Sequence, residues 1–238
     1  MNLADGIAAL DLDLSAGAAD KLSAYLALLA KWNKVYNLTA IRDPDAMVTH
    51  HLLDSLAVLP ILEKSAPGRP KPTPADCPLR GWGAASRGCE RGGAIKSALA
   101  ERRAFSLADI GSGAGLPGIV LAIARPDWSI TSIEAVDKKA AFQRQVKIEL
   151  GLANVSIHCG RVEDVKGTFS AVIARAFASL GDFIRLAGHL SPCLWALKGA
   201  YPADEIAALP AAWRVSASHE LHVPGLEAQR HLLQLEKI

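Results

Sequence analysis

Three glycines at alternate positions, Gly111, Gly113 and Gly115, follow an apolar run over residues 107–110 and lead into a second apolar stretch that opens at Pro117-Gly118. A strand that enters such a turn and leaves as a helix presents backbone N–H groups without Cβ atoms at a sheet edge, which lets a ligand approach the main chain. The spacing is G-x-G-x-G, not the dinucleotide G-x-G-x-x-G, and no Lys-Ser or Lys-Thr follows, so nicotinamide, flavin and triphosphate ligands are disfavoured. Glu134, 23 residues after Gly111, ends the next predicted strand, where a carboxylate can accept hydrogen bonds from both hydroxyls of a ribose. Arg161, Val162, Glu163 and Asp164 follow the third predicted strand and Arg175 the fourth, at the carboxyl ends where open α/β sheets bind ligands. Each has a plainer alternative: the glycines could serve strand–helix packing, Glu134 could be a solvated acid, and the residues after strands three and four could be caps or surface ion pairs. Taken together they spell adenosine without a phosphate clamp, and S-adenosylmethionine fits best.

The elements that must hold these residues are visible as short apolar runs. Residues 105–110, 129–135, 155–159, 171–174 and 193–197 read as buried strands, separated by stretches of helix-forming composition such as 137–150. This is the βαβαβ pattern of an open, mostly parallel sheet with helices on both faces. Residues 213–223 and 231–238 lack a helix between them and predict an antiparallel hairpin added at an edge. Ahead of the sheet the chain is helical. Leu22, Tyr25, Leu26, Leu29 and Trp32 recur at steps of three and four and give one buried stripe on a helix over residues 20–32. Asp43-Pro44 is a helix start, and residues 51–59 continue as an apolar helical segment that Pro60 or the residues just after it should terminate.

The 238 residues, 50% apolar and 21% charged, suffice for one large domain or one domain with a small appendage. No run of eighteen apolar residues exists to span a membrane, and Asp5, Asp11 and Asp13 make the N-terminus the reverse of a secretory leader, so a cytoplasmic protein is expected. Four cysteines without a C-x-x-C pair predict reduced thiols and no metal site. The net charge of +2 is unevenly spread: residues 64–103 hold nine of the 26 basic side chains and three of the 24 acidic ones. Charge alone therefore makes no case for nucleic acid binding. The same stretch carries five of 13 prolines and six of 19 glycines with no helical or strand period, and reads as a long, exposed, flexible insertion over residues 64–104.

Several strings, in order, resemble one known family: Lys31-Trp-Asn-Lys-Val-Tyr-Asn-Leu-Thr39, His51-Leu-Leu-Asp-Ser55, Asp109-Ile-Gly-Ser-Gly-Ala-Gly-Leu-Pro-Gly118, Arg175-Ala-Phe-Ala-Ser-Leu180, Ala196-Leu-Lys-Gly199 and Arg230-His-Leu232. They resemble the bacterial ribosomal RNA small subunit methyltransferase G family, also called glucose-inhibited division protein B, over residues 20–63 and 105–236. The resemblance implies a Rossmann-like class I S-adenosylmethionine-dependent methyltransferase fold with an N-terminal helical cap, divided as cap 1–63, insertion 64–104 and methyltransferase core 105–238. It also implies N7-methylation of a guanine in the 530 loop of 16S ribosomal RNA, with cofactor contacts at Gly111, Leu116, Val162, Glu163 and Arg175. The expected partner is 16S RNA or the small-subunit particle, with no membrane, no metal and a monomeric protein. Two departures stand out, the interposed segment with Cys77 and Cys89, and His50 where the family usually has Arg.

Guanine N7 carries an in-plane lone pair and no proton, so its methylation needs placement and no general base. Ala174-Arg175-Ala176 after strand four offers none. An Asn/Asp-Pro-Pro-aromatic string for amine methylation is missing, and the nearest Pro-Cys pair, Pro192-Cys193, starts a predicted buried strand. For RNA the candidates are Lys198, Arg230, His231 and His51, with Arg42 and Lys34 from the cap. Trp32 and His51 also suit plain packing. A small-molecule methyltransferase, or an RNA-binding variant whose insertion has disabled the cofactor site, remain the alternatives.

Overall fold

The computed structural model describes residues 1–65, 105–177 and 179–238. The cap comprises α1 (Leu3–Ala9), α2 (Ala18–Tyr36), α3 (Pro44–Met47), a π-helical turn (Val48–Leu53), α4 (Asp54–Leu56) and α5 (Leu59–Ser65). The predicted stripe is the buried face of α2, with Leu22, Tyr25 and Leu29 fully enclosed. The helix outlasts the predicted 20–32 because nothing breaks it until Asn37, which closes it in the left-handed conformation (φ 50°). Asp43 caps α3 as expected, its carboxylate accepting from Ala46 N–H at 2.7 Å. Pro60 does not terminate the helical region. It lies in the first turn of α5, where a missing N–H has no intrahelical partner to lose, so it starts a helix that runs through Lys64 and Ser65. The remainder of the interposed segment, with Cys77 and Cys89, lies outside the described residues.

Strands β1 (Ser106–Ile110), β2 (Ser129–Glu134), β3 (Val155–Cys159), β4 (Ala171–Arg175), β5 (Cys193–Lys198), β6 (Trp213–Glu220) and β7 (His231–Lys237) form one sheet in the order β3-β2-β1-β4-β5-β7-β6. The first five are parallel, while β7 runs antiparallel to both β5 and β6. The expected hairpin is present, with its second strand next to β5 and its first as the edge. This is the Rossmann-like class I methyltransferase fold. Its strand order reverses between β1 and β4, which opens a crevice at their carboxyl ends.

Side chains alternate between two cores. Leu107, Ile173, Trp195 and Leu232 point toward the cap, α6 (Gly118–Ala124) and α7 (Asp137–Glu149). Ala108, Val172, Ala174, Leu194 and Leu233 point toward α8 (Leu180–Ala187) on the other face, beside α9 (Ala203–Ala207). The two-residue period of a strand therefore sends Asp109, Glu134 and Arg175 to the cap side. Among the described residues no helix is long and apolar enough to cross a membrane, and no group of three or more His, Cys, Asp or Glu side chains could hold a metal ion. Cys159 and Cys193 are unbridged.

Candidate active site

The glycine turn between β1 and α6 is fixed by side chains from four elements. Gly111, Gly113 and Gly115 all have left-handed backbones, with φ of 63°, 60° and 90°. At Gly115 an added Cβ would strike Ile119, so that glycine serves packing. At Gly113 nothing lies closer than 4.0 Å, so its missing side chain leaves open space, as a ligand-facing glycine should. Gly113 N–H donates to Glu134 Oε2 at 2.7 Å, and Glu134 Oε1 accepts from Val136 N–H at 2.9 Å. The Gln143 amide donates to Ser112 Oγ (2.7 Å) and Gly113 O (2.8 Å) from α7, and Tyr25 OH donates to Ala114 O (2.9 Å) from α2. Asp109 Oδ2 accepts from Gly118 N–H at 2.8 Å, tying the strand to the start of α6.

At the carboxyl ends of β1 to β4 lies a cleft of about 300 Å³, lined by Gly111, Glu134, Arg161, Val162, Glu163 and Phe177 with neighbouring main chain. The volume is at the lower end of the range for small-molecule sites. Gly111, Glu134, Val162 and Glu163, predicted from separate strand ends, thus meet in one place. The donor set fits S-adenosylmethionine. Glu134 is 5% exposed, and its carboxylate offers about four lone-pair sites of which two hold backbone amides, leaving acceptors for ribose hydroxyls. Gly113→Val should cost cofactor affinity at least ~100-fold, since a branched side chain would have to adopt φ 60° and fill the open space. Titration calorimetry with S-adenosylhomocysteine checks this, and wild-type affinity would refute it.

Two predicted contacts go elsewhere. Leu116 is buried in the cap-side core, so any cofactor contact it makes is through its main chain. Arg175 turns to the cap: its Nη1 donates to His50 O at 3.0 Å and to Asp54 Oδ2 at 3.1 Å. Asp54 Oδ1 accepts from Arg230 Nε at 2.9 Å. One buried carboxylate on α4 therefore joins the end of β4 to the segment before β7. The π-helical turn just ahead of Asp54 supplies the His50 carbonyl. Such turns frequently mark functional sites.

The RNA candidates divide. His51 is a correction: it is 4% exposed, its Nε2 lies 3.0 Å from Thr39 Oγ1, and burial followed by the Arg175 charge lowers its pKa to about 4. A neutral, enclosed imidazole offers no cation to a phosphate. Lys198 is committed to Glu205, with Nζ at 2.9 and 2.8 Å from its two oxygens. His231 is half-buried and stacks edge-on against Tyr201, with ring centroids 5.7 Å apart. Arg42 and Lys34 are exposed, and Arg42 donates to Asn37 at 3.3 Å. Trp32 packs against Tyr36 and Phe142.

Asp109 was not singled out by sequence, although an acid inside an apolar strand is a signal. It is fully buried, its Oδ1 has no partner, and burial raises its pKa from 3.8 to about 7, against the pull of Gly118 N–H and Arg175. The folded protein thus keeps this proton up to about pH 7 while the unfolded chain releases it near 3.8, so the contribution to stability is full below that value and lost as pH rises. Asp109→Asn can still accept from Gly118 and does not titrate. Its melting temperature relative to wild type should climb between about pH 4 and pH 7 and level off above that. A constant difference would contradict the shift.

The sequence profile described as rRNA small subunit methyltransferase G matches residues 18–69 and 94–233. Proteins of that name from Azoarcus sp. strain BH72 and Aromatoleum aromaticum are 50% and 47% identical, each over 99% of this chain and over 95% and 97% of their own lengths. The chain belongs to the rRNA small subunit methyltransferase G family. Among solved structures, TrmN from Thermus thermophilus aligns over 61% of this chain and 47% of its own, with 18% identity and a TM-score of 0.47. The family match includes both the glycine turn and the Asp54, Arg175 and Arg230 bridge.

Proposed function

We propose that this protein methylates N7 of a guanine in the 530 loop of 16S ribosomal RNA in the cytoplasm, using S-adenosylmethionine. The observation that carries the reading is a rigid, Cβ-free cradle with a pinned ribose acceptor, opening on a cleft that no His, Cys, Lys or Tyr lines among the described residues. Gly111, Gly113, Glu134, Val162 and Glu163 would hold the cofactor. Bound there it supplies a methyl group on a sulfonium, an electrophile that a ring nitrogen with an in-plane lone pair takes without a base. The chain's own task is placement, which can contribute on the order of 7–11 kcal/mol when the reacting atoms are aligned. The four clamps on the glycine turn suit that task, because a preformed cradle needs no rearrangement on binding. Arg230 and His231, at the start of β7, would serve as RNA contacts, and Arg175 as a cofactor contact that would give up or share Asp54.

Transfer of labelled methyl groups to 16S RNA or to small-subunit particles lacking the mark tests the reading. A labelled 7-methylguanine in the 530 loop is expected, and comparing free RNA with particles identifies the substrate. Label appearing only on small molecules, on another RNA atom, or nowhere would overturn it.

A further inference from the structure

Phe177 is the one aromatic side chain that lines the cleft among the described residues. Its position is held by its neighbours. Ala176, immediately before it, has a left-handed backbone with φ 59°, a conformation that side-chain-bearing residues keep only when their surroundings enforce it. That turn carries the chain away from β4 and sets the Phe177 ring across from the glycine turn, 3.9 Å from where a Cβ on Gly111 would stand. The ring also meets Phe183, tilted, with centroids 5.4 Å apart. Lys198 Nζ donates to Phe177 O at 3.4 Å while paired with Glu205, and Glu205 Oε2 accepts from Leu180 N–H at 2.7 Å. Lys198 and Glu205 therefore hold the Phe177 carbonyl and the start of α8.

We propose that Phe177 is the platform on which the target guanine stacks. This rests on the function proposed above and adds the group that orients the acceptor. The N7 lone pair lies in the plane of the base, so aiming it requires that the plane be fixed. A flat ring facing the base does that while leaving rotation within the plane to edge contacts. Single-stranded bases are commonly captured by aromatic stacking. The product adds a second reason: the N–CH3 bond is made from the ring's own lone pair as the methyl–sulfur bond breaks with its electrons left on a neutral thioether, so the positive charge passes to N7-methylguanine, and cations are held over aromatic faces. Charge that develops on the base during transfer would thus be favoured by the same contact.

Three variants separate stacking from packing. Phe177→Ala should lower methyl transfer to RNA about ten- to a hundred-fold and weaken cofactor-free RNA binding by about ten-fold, with a clearly smaller loss of S-adenosylhomocysteine affinity, since the ring also lines the cofactor cleft. Phe177→Tyr should restore most of both losses, and Phe177→Leu, which fills space without a π face, should not. Leucine performing as well as phenylalanine would overturn the platform role, as would wild-type transfer by the alanine variant. Equal losses of cofactor and RNA affinity would place the ring in the cofactor's site or in the fold instead. A wild-type protein that methylates no guanine would overturn the proposed function and the platform with it, whereas intact transfer by Phe177→Ala removes the platform alone.

Discussion

Glu134→Gln is expected to weaken S-adenosylhomocysteine binding by at least ~100-fold while leaving the fold intact. The native carboxylate accepts from Gly113 N–H and Val136 N–H with different oxygens in a nearly closed site. A glutamine has one carbonyl oxygen, so its NH2 must face one of those backbone donors. Leaving a buried donor unsatisfied costs about 1–3 kcal/mol, and hydrogen bonds to a charged acceptor, which the ribose would lose, are worth about 1.5–3 kcal/mol. The unsatisfied donor weakens the free protein as well as the complex, so the affinity loss is that of the ribose hydrogen bonds, which for two hydroxyls at about 1.5–3 kcal/mol each corresponds to two or more decades. Calorimetry on the variant decides it, with circular dichroism to verify folding. Affinity within a few-fold of wild type would mean that Glu134 only braces the glycine turn.

Asp54→Ala is expected to have the largest effect on stability, about 3 kcal/mol, because it leaves two guanidinium groups facing each other without their shared carboxylate. Asp54 is 4% exposed, whereas the Arg175 and Arg230 side chains are 21% and 22% exposed. Water can reach both arginines, which holds the loss to the low end of what breaking a buried pair costs. For a chain of this size the melting temperature should fall by roughly 6–12 °C. A fall of under ~1 °C would show the bridge to be energetically neutral, as many partly solvated pairs are. Since α4, the end of β4 and the start of β7 meet at this one carboxylate, the variant should also loosen the cap against the sheet. Hydrogen exchange of the Asp54–Leu56 segment would report that directly.

The sheet and the glycine turn could be read from sequence because apolar runs of four to six residues with glycine at their ends have few other readings. Glu134, Val162 and Glu163 meet in one cleft for the same reason: in an open parallel sheet the carboxyl end of each strand reaches the same crevice. What could not be read was direction. Arg175 ends its strand as expected, but the alternation that buries Ala174 on one face turns Arg175 toward the cap on the other. Its partner Asp54 lies 121 residues earlier, and an acid in the wholly buried run 51–59 gives no sign of what neutralises it. Lys198 resembled a free cation at a strand end because the short helix that carries Glu205 has no period long enough to detect. Pro60 misled because proline ends one helix and begins another with equal ease, and only the following turn decides which. Phe177 appeared in the sequence as part of a string. Its place in the cleft depends on the left-handed Ala176, which no residue-type rule would assign.

The proposed function requires an adenosyl ligand lying across the glycine turn with its sugar on Glu134. A crystal structure of the protein with S-adenosylhomocysteine measures this most directly. Both ribose hydroxyls should lie about 3 Å from the Glu134 carboxylate oxygens, with the sulfur end of the ligand toward Phe177. A ligand bound elsewhere, or a well-ordered cleft with Glu134 still holding only its two backbone amides, would contradict it.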